Sequence, residues 1–250
     1  MTSADAPPIT VEYLPGRLLD VHRPPGGPAG PPGGADAAGP WPVVLLWHGK
    51  GPDERRELAP LARETARHGV LVLVPDWRSD APDGGRDHLL ASLRHARRHA
   101  ADHGGDPGLG LVLAGWSVAG REAIAVATHP GTPDDLRPTA AVGIASSYAR
   151  PSITTGEAPL LALADRPSPV PLFLVHGTRD DLVPADLSRA LDTALLTPAA
   201  EFLQPDSDHA GVVLAEFDPA AGRCVATTAP HAVLAGRATA ALLARAAGRR

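Results

Sequence analysis

The stretch Leu-Val-Leu-Ala-Gly-Trp-Ser-Val-Ala-Gly, residues 111–120, decides the fold. An apolar run ends on a Gly-flanked serine, and helix-forming residues follow at once. Such a run reads as a strand covered on both faces that turns sharply into a helix. A serine on that turn sits on strained backbone, and its hydroxyl projects clear of the sheet. Small residues at Gly115, Ala119 and Gly120 let strand and helix approach closely. The usual pattern is G-x-S-x-G, and Ala119 takes the place of its second glycine. A serine that merely caps a helix after a strand gives a similar string. The motif therefore has to be read with the rest of the chain.

A serine hydroxyl is a weak nucleophile until a base takes its proton. The base in turn needs a third group to hold its ring. Downstream, residues 171–184 read PLFLVHGTRDDLVP, an apolar strand ending at His176-Gly177 with Asp180 and Asp181 in the following loop. Residues 201–211 read EFLQPDSDHAG, a short strand and a polar turn carrying His209. Both segments end just past the C-terminal ends of expected strands, the edge where open α/β sheets place their chemistry.

Four pieces in order carry a family resemblance: HGKG at 48–51, GWSVAG at 115–120, HGTRDDLVP at 176–184 and DHAG at 208–211. The chain resembles the α/β-hydrolases, in the style of small carboxylesterases and dienelactone-hydrolase-like members. The resemblance implies Ser117 as nucleophile, Asp180 as acid and His209 as base. Its H-G-x-x-D spacing selects Asp180 over Asp181. Asp208 adjoins His209, and neighbouring side chains in an extended turn point apart, so it reads as a solvated turn residue. The resemblance also implies an oxyanion hole from the backbone N–H groups of Val118 and Lys50, with Gly51 as second choice. The Lys50 ammonium narrows the pocket, attracts anionic substrates, or is a solvated loop charge: the string allows all three readings. His48 and His176 read as structural, bonded to loop backbone.

From Val43 onward the pattern alternates strand and helix, which predicts a mostly parallel central sheet with helices on both faces. Strands are expected at 43–47, 70–75, 110–114, 139–145, 170–175 and 200–204. Helices are expected near 53–68, 86–102, 118–128, 185–196 and 230–247. An antiparallel hairpin is expected to open the chain over 9–13 and 17–22, across a Pro-Gly turn. Residues 23–41 are Pro/Gly-rich and read as a flexible surface loop within a single domain spanning 1–250. No large lid is visible. Insertion space lies at 146–169, where Tyr148, Ile153 and Leu160 are candidates to line a pocket. Trp116 and Tyr148 are the candidate substrate-binding residues. Trp77 reads as packing.

Composition narrows the function. The net charge is −5, with scattered Lys and Arg, which gives no case for nucleic acid. One cysteine, Cys224, forms no intramolecular disulfide, consistent with a reducing or indifferent compartment and a cytoplasmic chain. The first ten residues lack the character of a signal peptide, and no apolar run approaches membrane-spanning length. His95 and His99 stand four apart, but Ala-Arg-Arg lies between them, so a solvated basic face is expected rather than a metal site. No phosphate loop or strand-linked dinucleotide fingerprint occurs, so no cofactor is implied. The expectation is a serine hydrolase that cleaves a small ester or activated acyl group through an acyl-enzyme, working as a monomer or homodimer. The alternatives are a thioesterase or acyltransferase, or a catalytically inactive binding protein on the same fold.

Overall fold

Apolar residues on consecutive strands divide between two faces, and this division builds the sheet. In the computed structural model, which describes residues 7–25 and 40–249, the first two strands are β1 (Ile9–Leu14) and β2 (Arg17–His22). They form an antiparallel hairpin whose turn places Gly16 at φ 72°. The strands β3 (Val43–Trp47), β4 (Leu71–Pro75), β5 (Leu111–Trp116), β6 (Ala140–Ile144), β7 (Leu172–Val175) and β8 (Glu201–Leu203) pair in parallel. The eight strands lie in the order β1-β2-β4-β3-β5-β6-β7-β8, with β2 antiparallel to β4. Most of the expected loop at 23–41, namely 26–39, lies outside the described residues, as do the first six residues.

Alternation along each strand sorts the core. Val44, Leu46, Val72, Val74, Val112 and Ala114 point to one face. There α1 (Arg55–Ala66) and α6 (Pro230–Ala246) cover them through Leu58, Leu61, Leu242 and Leu243. Val43, Leu45, Trp47, Leu71, Leu73, Leu111 and Leu113 point the other way. They meet α2 (Arg86–His99) and α3 (Val118–Thr128) through Leu89, Leu93, Ala119 and Ala123. Beyond them, α4 (Pro159–Asp165) and α5 (Asp186–Ala194) pack Leu163 and Leu191 on Leu172 and Leu174. Each fully buried Val or Leu contributes about 1.5–3 kcal/mol of burial, so both faces are needed to fix the strand register.

Two elements depart from the expected pattern. Residues 146–169 contain the short helix α4, with Pro159 in its first turn, where a missing N–H costs nothing. A hairpin of β9 (Ala215–Asp218) and β10 (Arg223–Ala226) precedes α6. Its strands are four residues each and largely exposed, too short and polar for alternation to reveal. Its turn is held by Asp218, whose carboxylate accepts the Ala220 N–H at 2.8 Å.

Candidate active site

β5 delivers Ser117 directly into α3. Its backbone sits at φ 57°, ψ −128°, a region L-residues rarely adopt, and such strain costs about 1–3 kcal/mol. Neighbours hold it there: the Ser117 N–H donates to Ile144 O at 2.8 Å, and the Gly120 N–H donates to Ser117 O at 3.0 Å. The glycines are required by crowding. A Cβ on Gly115 would lie 2.1 Å from Ala119 O, and one on Gly120 would lie 2.7 Å from Ser146 Cβ. Ala119 is fully buried against the α2/α3 face, so its methyl has a place in the core. Gly120, one position later, meets the close contact. From the β3 loop, a Cβ on Gly49 would lie 3.3 Å from Ser117 Cβ, so that loop abuts Ser117.

The loops after β7 and β8 are zipped together. Thr178 N–H donates to Pro205 O and Arg179 N–H to Ser207 O, both at 2.9 Å. Gly177 permits this, since a Cβ there would lie 2.2 Å from Ser207 O. The result brings His209 Nδ1 to 2.7 Å from Asp180 Oδ2. A carboxylate only accepts, so Nδ1 carries the proton and Nε2 is left basic. Asp180 Oδ1 accepts the N–H groups of Leu182 (3.1 Å) and Val183 (2.8 Å). Burial pushes the Asp180 carboxyl up, but hydrogen bonds from His176 and His209 outweigh it and hold the group well below the usual carboxylate range. Asp181 is exposed. Asp208 accepts the Gly211 N–H at 2.7 Å and does not hold the His209 ring.

Trp116 joins the two halves. It is 4 % exposed, its Nε1–H donates to His209 O at 3.0 Å, and the two rings lie 5.2 Å apart. The β3 loop is held from behind: Trp77 Nε1–H donates to His48 O at 2.9 Å and stacks on the His48 ring. His48 Nδ1–H donates to Gly49 O at 2.9 Å, and burial lowers this histidine to about 4. Among the described residues the N–H groups of Val118 and Lys50 have no partner, as an oxyanion hole requires. The Gly51 N–H differs: it donates to the Ser79 hydroxyl at 3.0 Å, so it has no free proton to offer.

Tyr148 also departs from expectation. It is 1 % exposed and packs with Ile124, Leu163 and Leu174, its hydroxyl against Gly143 and burial raising its pKa. A side chain with no exposed face cannot line a pocket. His95, expected on a solvated face, is half-buried against the Tyr13 ring. Sequence reasoning also missed Glu122, fully buried in α3. It accepts from Ser152 Oγ (2.7 Å), Thr154 Oγ1 (3.0 Å) and Thr154 N–H (3.1 Å), tying the 146–158 segment to the helix behind Ser117. The only sequence signal was a charged Arg-Glu pair in an otherwise apolar helix.

This sheet order, with a strained serine between β5 and α3 and acid and imidazole loops after β7 and β8, is the α/β-hydrolase fold. Solved structures of an esterase, Est2, from the Planctomycetes species Thermogutta terrifontis share it. The native form superposes with a TM-score of 0.68 at 17 % identity, covering 94 % of this chain and 89 % of that one. The form phosphoramylated by tabun gives 0.69 at 17 % identity, covering 96 % and 93 %. The form phosphorylated by paraoxon gives 0.63 at 17 % identity, covering 82 % and 84 %. No family model and no curated protein matches the sequence. Among the described residues no helix is long and apolar enough to cross a membrane.

Proposed function

We propose that the chain is a serine hydrolase that cleaves a small ester or activated acyl group through an acyl-enzyme. The observation that carries this reading is the 2.7 Å contact between Asp180 and His209, on the sheet rim where Ser117 stands strained. Ser117 Oγ attacks the carbonyl carbon while His209 Nε2 takes its proton. Asp180 holds Nδ1 and stabilises the imidazolium. The negative oxygen that forms is met by the N–H groups of Val118 and Lys50. Each such donor lowers the barrier by about 3 kcal/mol. His209 then protonates the leaving alcohol, and water activated by the same imidazole releases the acid. The organophosphate adducts of the structurally similar esterase are chemistry of an activated nucleophile, which supports the reading. The single cysteine is consistent with a cytoplasmic setting.

Transfer of the acyl group to an alcohol, amine or thiol instead of water uses the same residues. A fluorophosphonate probe tests the main reading: one adduct on the peptide containing Ser117, together with release of p-nitrophenol from a short acyl ester, is expected. An unlabelled protein would favour a binding role. Faster product release on adding an alcohol acceptor would favour acyl transfer.

A further inference from the structure

We propose that His176 is a positioning residue for the acid of this site. It clamps the Asp180–Val183 turn through its Nε2–H. The proposal rests on the reading of Ser117, Asp180 and His209 as the catalytic set.

His176 is fully buried at the end of β7, four residues before Asp180. Its Nε2 lies 2.7 Å from Val183 O and 3.2 Å from Asp180 Oδ2. A carbonyl oxygen has no proton to give, so Nε2 must carry one. Val183 is then held at both ends of its backbone. Its C=O accepts from His176, and its N–H donates to Asp180 Oδ1 at 2.8 Å. The second contact puts the same proton near Asp180 Oδ2, the oxygen that accepts from His209. The carboxylate is thus approached by His209, His176 and the N–H groups of Leu182 and Val183. Arg179, the nearest cation in sequence, is engaged with Asp206 instead.

The other ring nitrogen sets the tautomer. His176 Nδ1 lies 2.6 Å from Ser188 Oγ in α5. With the proton on Nε2, Nδ1 accepts from that hydroxyl. One buried imidazole therefore ties the end of β7, the acid turn and α5 to one another. A loop carrying a catalytic carboxylate is otherwise the part of a site most free to shift. Displacements of about 1 Å cost on the order of 10²-fold in rate.

Two amide substitutions separate the ring's two nitrogens. His176→Asn places its amide near the Nδ1 position, keeps Ser188 within reach and loses Val183 and Asp180. His176→Gln places its amide near the Nε2 position and keeps the clamp. With H176N, kcat should fall on the order of 10- to 100-fold with KM little changed. The acid limb of its kcat/KM profile should move up by about half a pH unit, because a carboxylate with one donor fewer holds the imidazolium proton more tightly. H176Q should recover most of kcat and restore the limb. A folded H176N with wild-type kcat and limb, changed only in Tm, would overturn the proposal. So would equal damage in both variants. Should H176N not fold, Ser188→Ala carries the test: a lowered kcat with a moved limb is expected, and an unchanged kcat overturns it. Fluorophosphonate labelling of the wild-type chain comes first. No adduct would defeat the underlying reading, whereas an adduct with an unperturbed H176N would defeat only this inference.

Discussion

Trp116 donates its indole N–H to the carbonyl oxygen of His209 at 3.0 Å, so the residue before Ser117 holds the backbone that presents the imidazole. The bond spans 93 residues of sequence and joins the end of β5 to the loop after β8, the two segments that the proposed proton transfer needs together. Trp116→Phe keeps most of the ring contact and removes this one donor. It should cost about 1 kcal/mol of stability. It should also lower kcat about 10-fold by letting the imidazole drift. Steady-state kinetics beside thermal unfolding checks this. An unchanged kcat would show that the His209 loop is fixed by other contacts.

Asp180 and Asp181 are neighbours with opposite surroundings. Asp180 is buried against two histidines, and Asp181 is exposed. Asp180→Asn should leave the fold intact and lower kcat about 10⁴-fold, because Asn favours the wrong imidazole tautomer. Asp181→Asn should stay within about 0.5 kcal/mol of wild-type stability and keep its activity. The opposite ranking in a p-nitrophenyl ester assay would reassign the acid.

The crowding around the Ser117 turn makes a graded prediction. Gly115→Ala and Gly120→Ala drive a methyl into backbone or into Ser146, and overpacking of this kind costs about 1–3 kcal/mol. Ala119→Gly removes a packed methyl and adds backbone freedom in the first turn of α3. It should cost about 1 kcal/mol while leaving kcat near wild type. Chemical denaturation of the three variants ranks them. A gain in activity from Ala119→Gly would mean that the alanine strains the nucleophile.

Lys50 is the only lysine in a chain with 23 Lys and Arg residues. It is exposed in the loop whose Gly49 abuts Ser117. Its backbone N–H does not depend on its side chain, so Lys50→Met keeps the proposed oxyanion donor. The ammonium should favour an acyl chain ending in a carboxylate by about 1 kcal/mol, roughly five-fold, over a neutral chain of equal length. That preference should vanish in Lys50→Met and weaken with salt. Comparing p-nitrophenyl hemisuccinate with p-nitrophenyl butyrate reads it directly. An equal ratio in both proteins would leave Lys50 as a solvated charge.

Half-buried Glu54 and buried His48 tilt stability with pH in opposite directions. Burial first, then the charges of Glu57 and Asp53, raise Glu54 to about 8 from an ordinary value of 4.5. Between those values the folded chain keeps a proton that the unfolded chain has released, so stability falls as pH rises. Burial lowers His48 to about 4 from 6.5. Between these the unfolded chain takes up a proton that the folded chain refuses, so stability is lost as pH falls. Of the two, only Glu54 acts from pH 6.5 to about 8. Tm should therefore drop across that interval, and the drop should shrink in Glu54→Gln. Equal drops in the two proteins would remove Glu54 as the cause.

The sequence by itself determined the strand-and-helix alternation. Valine and leucine runs such as residues 70–74 satisfy two covered faces, and a Gly-flanked serine at 117 permits one tight turn. It also marked Ser117, His209 and the pair Asp180 and Asp181 as candidates at strand ends where chemistry collects, and the resemblance, through its H-G-x-x-D spacing, implied Asp180 of the pair. It could not choose among contacts made across tens of residues. Gly51 was one of two loop N–H groups in the string, and only folding gave it the Ser79 hydroxyl. Tyr148 looked available in a polar segment, and only packing buried it against Gly143. His176 read as bonded to loop backbone, as it is at Val183 O, but its contact with Asp180 Oδ2 came only when the turn after β7 curled both back onto its Nε2. Local pattern fixes which backbone shape a segment prefers. The partner of a buried donor is set by which distant segment occupies the neighbouring space, and that is decided by tertiary structure.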